Sequence, residues 1–373
     1  MFPLTPLLAL AVPIAVSGTP PQSVFGMRKY GNTRFFDIQA HRGGRANTIE
    51  NTLPSFAWAL IDGATTLELD NGITKDGVVV VWHDEEIVPF KCRDTGPASA
   101  DDPSYPYVGK YVANLTLAQI KTLDCSVRQH NFPNQLTYPG TKIPTLQEFF
   151  EFLDCADPKH NILLNIESKV DAESAGRTHD VETFVRSQYE LFASSYYYRA
   201  ITYQSFDWRT LAAMKELDRS IITSVLVDDH TAGSENSTEG VSPWLAGLNL
   251  SNFNGSTLGE RIVQAASFIG ADIVSPQATS KLSPVLDADE DDYIPFTTYE
   301  MVRAAHQLGM LVKPWTVNRL SVADRLLRIG VDGIITDAPD ILRRWAQQQK
   351  LPVAPRYPKY SVLACLEKYN QIN

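Results

Sequence analysis

The sequence predicts an α/β chain folded as a closed (β/α)8 barrel, and three observations carry that expectation. Short apolar runs recur with amphipathic spacers between them; eight such units fill roughly 300 residues; and polar residues end the runs along the whole chain. Near-continuous apolar strands alternating with helices indicate a parallel sheet covered on its outer face. In a closed barrel all strand ends meet at one mouth, whereas a doubly wound open sheet, the runner-up, gathers only some of them at its switch point. His41, Asp70, Glu167, Gln204, Gln277, Asn318 and Asp337 all stand at strand ends, which favours the barrel.

The expected strands are 35–41, 65–71, 161–167, 200–205, 221–227, 272–276, 311–317 and 333–336. The first helix is expected at 52–61, where Leu53, Phe56, Ala57 and Leu60 keep the i, i+3, i+4, i+7 spacing and Gly63 follows as a stop. Similar patterns predict helices at 144–153, 181–191, 208–217, 258–268, 298–308 and 320–329. The run 78–83 breaks the alternation. It follows the turn signal Thr74-Lys75-Asp76-Gly77, so it is expected to fold back as a hairpin arm after strand two and present His83 at the mouth.

Three stretches read as additions to the framework. Residues 84–143, rich in Pro and Tyr, are expected to cover the mouth beside His83, and 229–257 to form a polar surface loop. The acidic run 287–292 has Asp292 where a calcium loop of the EF-hand type needs Gly at its sixth position, so it is read as a solvated charge run. The expected organisation is a leader at 1–17, a single barrel domain over 18–350 that includes the insertion 84–143, and a tail at 351–373.

Composition narrows the function classes. Hydrophobic content of 44% supplies a core, and the net charge of −10 argues against nucleic acid and against electrostatic docking on anionic membranes. The uncharged leader has an apolar run from Leu7 to Val16, too short for a bilayer but suited to a secretory signal, with small Ala15 and Ser17 for processing. Sequons at Asn114, Asn236, Asn249 and Asn254 agree with a secreted, extracellular glycoprotein without a stable membrane anchor, expected to be a monomer. Cys92, Cys125, Cys155 and Cys365 contain no C-x-x-C pair and are read as two disulfides. Of three pairings, the preferred one joins Cys92 to Cys125, closing a loop, and Cys155 to Cys365, anchoring the tail.

The chemistry is concentrated at strand ends. Glu68 and Asp70 stand at i and i+2, so their carboxylates share one face and repel unless a hard divalent cation lies between them. Glu167 offers a third ligand, and Lys169 alternates onto the same side as a positive donor for a phosphate. His41 precedes Arg42, whose planar fork suits phosphate oxygens, and Gly43 and Gly44, which let backbone approach a ligand. His83 precedes Asp84, suited to fixing its tautomer. His130, His160, His179, His230 and His306 have no such setting. Serine-hydrolase, zincin and P-loop signatures are missing from the sequence.

At these residues the chain resembles the glycerophosphodiester phosphodiesterases. Their pattern appears as HRG (41–43), ENT (50–52), ELD (68–70), TKDG (74–77), HD (83–84), NIESK (165–169), PWTVN (314–318) and GVDGIITDAPD (330–340). The resemblance runs from about residue 36 to 345. It implies a TIM barrel with His41 and His83 as the acid/base pair and Glu68, Asp70 and Glu167 as ligands of Mg2+ or Ca2+. Arg42 and Lys169 would hold the phosphate of a small glycerophosphodiester, and Trp315 would line the glycerol side. Two departures stand out: Ile49 where proline is common, and Asn71 where an apolar residue is usual, a change expected to alter the polarity of the mouth. Lysophospholipase D or sphingomyelinase D-type cleavage on the same scaffold is the alternative, with the cover at 84–143 sheltering an acyl chain; a non-catalytic phosphodiester binder is the third reading.

Overall fold

The computed structural model describes residues 35–232 and 242–370. The expected leader and the sequon at Asn236 lie outside them. Eight parallel strands make the framework: β1 (Asp37–Ala40), β2 (Thr66–Ile73), β4 (Leu163–Ser168), β5 (Ile201–Ser205), β6 (Ile222–Val227), β7 (Ile273–Pro276), β8 (Leu311–Val312) and β9 (Gly333–Thr336). The antiparallel β3 (Val79–Val81) pairs with the distal half of β2, opposing Val81 to Asn71, and is the expected hairpin arm; its other edge bridges Val80 to Thr145. The sheet runs β8-β7-β6-β5-β4-β2-β1-β9. Backbone bonds from Asp332 N to Val312 O, Ile335 N to Pro314 O and Val317 N to Ile335 O, each 2.9 Å, bring its two ends together. The barrel reading stands over the open sheet.

Differences from expectation are local. β8 is regular only over Leu311–Val312 rather than to 317; past Pro314, which has no N–H to donate, pairing continues irregularly, with Trp315 N donating to Pro276 O and Val317 N to Ile335 O. A helix missed by periodicity, Pro339–Gln348, follows β9, and another, Lys359–Tyr369, occupies the expected tail. That last helix buries Val362 and Leu366 in the main core and is tied to helix Leu146–Ala156 by the Cys155–Cys365 disulfide. Helix starts follow their caps: Thr52, Thr145 and Thr257 each accept a backbone N–H three residues on. Gly63, with φ of 81°, ends helix Leu53–Asp62 where its sequence position predicts.

Alternation along the strands sorts the side chains. Ile38, Leu67, Leu69, Leu164, Ile166, Tyr203, Val225, Val274 and Ile334 pack outward under the helices and are fully buried. The inward set is polar. Asn165 Nδ2 donates to Gln39 Oε1 at 2.7 Å and to Gln204 Oε1 at 2.8 Å, and Ser224 meets Ser275 at 2.9 Å. Below them Asp37 pairs with Lys313 at 2.7 Å. Satisfied polar groups of this kind fix side-chain positions within the barrel.

The insertion 84–143 builds its own apolar cluster. Ile87, Val88, Cys92, Tyr107, Leu115, Ile120, Leu123 and Cys125 pack with Val80 and Trp82 of the hairpin arm, and Cys92 is bonded to Cys125. Both disulfides follow the preferred pairing. No helix among the described residues is long and apolar enough to cross a membrane.

Candidate active site

The parallel register between β2 and β4 places Asp70 opposite Glu167 and Glu68 opposite Asn165. Ligand oxygens of Glu68, Asp70 and Glu167 accordingly lie within 4.8 Å of one another, all buried. Glu68 is held by the polar layer beneath it: Gln204 Nε2 donates to Oε1 at 3.2 Å, and the backbone N–H of Arg42 donates to Oε2 at 2.7 Å. Asp70 Oδ2 accepts Asn51 Nδ2 at 2.7 Å. Asp70 Oδ1 is buried without a hydrogen-bond partner, with Lys169 Nζ no nearer than 3.9 Å. A buried carboxylate oxygen left in this state, between two further carboxylates, fits a hard divalent cation.

The electrostatics agree. Burial, then the neighbouring Asp70 and Glu167, push Glu68 well above the ordinary carboxyl range. Burial raises Glu167 to about 7 despite Lys169, whose ammonium lies 2.7 Å away. Burial also opposes ionisation of Asp70, but His83, Arg42, Lys169 and the Asn51 hydrogen bond prevail and hold it low. Two cations, Arg42 and Lys169, thus face three carboxylates, and the positive charge falls short.

His41 and Arg42 sit on a tight turn after β1. Arg42 adopts φ of 52°, and Gly43 and Gly44 follow at 78° and 86°. A side chain at Gly43 would meet Ser55 Oγ at 2.3 Å, so glycine is required by both torsion and space. The turn aims the Arg42 N–H at Glu68 and sends its guanidinium to Glu50 at 2.9 Å and Asp70 at 3.4 Å. His41 Nδ1 lies 2.5 Å from Asp337 Oδ1, and Asp337 Oδ2 accepts Asn318 Nδ2 at 2.7 Å. His83, at the end of the arm, faces Asp84 through Nδ1 at 3.2 Å. Burial and Arg42 keep both imidazoles below their ordinary pKa, with Lys169 adding to the effect at His83 and Asp337 opposing it at His41.

A cavity of about 510 Å³ opens beside His83, Glu167 and Lys169. Its outer wall carries Glu85, Asp171, Arg177, Phe206 and Trp244. Trp315 packs edge-on against Phe206 at 5.4 Å and donates its indole N–H to Ser275 O. Two histidines, three carboxylates, Arg42, Lys169 and Trp315 are therefore placed at the same end of the barrel.

The glycerophosphoryl diester phosphodiesterase family model matches residues 41–341. The chain belongs to this family. By that membership it is an enzyme, a glycerophosphodiester phosphodiesterase. It is 27% identical over 305 residues to a glycerophosphodiester phosphodiesterase of Caldanaerobacter subterraneus, which covers 82% of this chain and 95% of the relative. Among solved structures, a Silicibacter pomeroyi protein provisionally described as a glycerophosphoryl diester phosphodiesterase superposes with a TM-score of 0.66 at 25% identity, covering 87% of this chain and 97% of its own. An Oleispira antarctica phosphodiesterase, solved with its product sn-glycerol-3-phosphate, shares the fold with a TM-score of 0.57 at 19% identity, over 84% of this chain and 97% of that one.

Reading the phosphodiesterase by sequence missed several members of the site. Glu50 and Asn51 belong to the ENT element, but the motif alone gave them no role; the fold brings Asn51 to Asp70 and Glu50 to Arg42. Asp337 was visible as a strand-end carboxylate, yet its pairing with His41 needs the closed barrel. Lys91 and Gln129, which reach Glu50 at 2.7 Å each, come from the insertion and carry no sequence signal. One expectation is corrected: Asn71 does not change the polarity of the mouth. Its Oδ1 accepts Gln188 Nε2 at 3.0 Å, and its amide donates to Val80 O at 3.4 Å, so it joins β2 to the outer helix layer and to the arm.

Proposed function

We propose that the enzyme hydrolyses glycerophosphodiesters to glycerol phosphate and an alcohol, with a divalent cation, Mg2+ or Ca2+, held by Glu68, Asp70 and Glu167, and His41 and His83 as the acid/base pair. The observation that carries this reading is the pair of carboxylate-backed histidines beside a buried carboxylate triad whose Asp70 Oδ1 lacks a partner. A bound cation would supply Lewis-acid stabilisation of charge on a phosphoryl oxygen.

The chain's own residues supply the rest. Arg42 and Lys169 face the same carboxylates and would neutralise the phosphoryl oxygens, generally the largest contribution in such reactions. One histidine accepts the proton of the attacking hydroxyl as the new P–O bond forms. The other delivers a proton to the departing alcohol oxygen as the old P–O bond breaks. With Nδ1 of each ring turned to a carboxylate, Nε2 is the nitrogen left to exchange that proton. The neighbouring glycerol hydroxyl is the first nucleophile, and water then opens the cyclic phosphate. Trp315 would line the glycerol side.

The charged part of the cavity wall favours a water-soluble substrate over the lipid-cleaving alternative. Asp84, Glu85, Glu86, Asp171 and Arg177 line the cavity, beside the apolar Val88, Tyr111, Val170, Phe206 and Trp244. Most buried apolar side chains of the insertion pack in its own cluster, while Val88 and Tyr111 reach the cavity and Phe90, Tyr105 and Leu136 stay exposed. The two disulfides support an oxidising, extracellular address. Under the same reading residues 1–17 are a cleaved leader and 18–350 one catalytic domain. Phosphorus NMR of glycerophosphocholine incubated with purified protein and Mg2+ or Ca2+ tests the reading. Glycerol phosphate is the expected product, preceded by a cyclic phosphate signal; consumption of a lysophospholipid with glycerophosphocholine left intact would replace it with the lipid-cleaving alternative.

A further inference from the structure

Lys91 is a buried cation that the mechanism above does not use. It lies in the insertion, next to Cys92 of the Cys92–Cys125 disulfide, and is 3% exposed. Its ammonium donates to Glu50 Oε1 at 2.7 Å and also to Asp84 Oδ2. The first contact leads through Glu50 to Arg42, and the second through Asp84 to His83. Its backbone is fixed on both sides: Lys91 N donates to Val88 O and Val127 N to Lys91 O, while Arg93 and Asp124 exchange a pair of backbone bonds beside the disulfide.

Charge balance at Glu50 does not require this lysine. Arg42 at 2.9 Å and Arg45 at 3.2 Å already face that carboxylate, and Gln129 fills its second oxygen. What Lys91 adds is the bridge to Asp84. Asp84 is a quarter exposed on a loop and, without a fixed partner for Oδ2, is free to rotate away from the His83 ring. The other histidine has a parallel arrangement, since Asn318 fixes the second oxygen of Asp337. In each case one carboxylate oxygen is anchored so that the other can orient an imidazole.

We infer that Lys91 is a positioning residue: by clamping Asp84 to Glu50 it sets the orientation and tautomer of His83, and the disulfide-stapled insertion is thereby part of the catalytic apparatus. This rests on the reading of His83 as one of the acid/base pair. Lys91 neither pairs with the carboxylate triad nor lines the cavity beside His83, and it reaches that cavity's wall through Asp84.

The test combines kinetics with nitrogen-15 NMR of the histidine rings in the full chain. In the parent protein His83 should carry its proton on Nδ1. Lys91→Met should leave a mixture of tautomers and lower kcat about 30-fold with KM within about threefold, the mark of a misplaced group rather than lost binding. Lys91→Arg should restore both readouts. Asp84→Asn should reproduce the altered His83 signal while leaving the Lys91–Glu50 contact in place, which separates the orienting role from general loss of the insertion. A single Nδ1-protonated His83 in Lys91→Met, or an unchanged kcat in that variant, would overturn the inference. If the parent protein turns over no glycerophosphodiester, the proposed function fails, while the ring signal of Lys91→Met still decides whether Lys91 orients His83.

Discussion

His41 Nδ1 and Asp337 Oδ1 lie 2.5 Å apart although 296 positions separate them, one just after β1 and the other just after β9. Pairing of those two strands along Asp37–Ala40 and Gly333–Thr336 makes the contact. Asp337 is kept ionised: burial opposes this, but the His41 charge and hydrogen bond, with Arg45 and Asn318, hold its pKa below the ordinary value. Replacing it by Asn removes the charge that would stabilise a protonated His41 and permits the wrong tautomer. We expect Asp337→Asn to lower kcat by about 10²- to 10⁴-fold with little change in KM. Steady-state kinetics on a glycerophosphodiester checks this, and a loss confined to KM would point to binding instead.

The turn that carries Arg42 is constrained at Gly43. With φ at 78° and Ser55 Oγ 2.3 Å from where a Cβ would stand, Gly43→Ala must displace the start of helix Leu53–Asp62 or unwind the turn. A cost of about 2 kcal/mol or more is expected. Urea unfolding should show it, with activity falling further than stability because the Arg42 N–H no longer meets Glu68.

Away from the mouth, Asp62 and Asp340 converge on Asn47, which donates to both at 3.4 and 2.9 Å. Burial and then Asp340 raise Asp62 to about 6. An acid whose pKa is higher folded than unfolded binds more protons when folded, so its charge destabilises the protein increasingly as pH rises from about 4 to about 6. Asp62→Asn should therefore raise Tm at pH 7.5 and not at pH 3.5, with a gain of about 1 kcal/mol after solvent screening. Thermal melts across that range would show the opposite trend if Asp62 were paired rather than frustrated.

The Cys155–Cys365 bridge spans 210 positions and ties the last helix to the barrel. Chain-entropy reasoning sets its stabilisation at up to about 5 kcal/mol, and native-state relaxation commonly reduces that. A Cys155→Ser/Cys365→Ser variant should melt lower, and amides of Lys359–Tyr369 should lose hydrogen-exchange protection first. Uniform loss of protection across the barrel would show that this helix does not open separately.

Much of this architecture was legible because it is local. The ELD and NIES alternation announces which carboxylates share a face, and strand ends announce the mouth. The capping threonines and Gly63 mark helix boundaries within a residue or two. What sequence alone could not give depends on pairings between distant segments. The Asp70–Glu167 opposition is a matter of register, the His41–Asp337 contact of barrel closure, and the Lys91–Glu50 contact of how the insertion docks. Asn71 is instructive in the same way: its place beside Asp70 suggested the mouth, but strand alternation turns it outward to Gln188. The helix Lys359–Tyr369 escaped notice because its apolar residues are spread around it rather than gathered in one stripe, with Val362, Cys365 and Leu366 buried and Tyr360 exposed.

The central claim is that a divalent cation bound by Glu68, Asp70 and Glu167 is needed for phosphodiester cleavage. The most direct measurement is the initial rate of glycerol phosphate release by chelator-treated protein as Mg2+ or Ca2+ is restored, for the parent enzyme and for Asp70→Asn. The account predicts a saturable return of activity in the parent and none in the variant at the same concentrations. Full activity of the chelated protein, or equal restoration in Asp70→Asn, would contradict it.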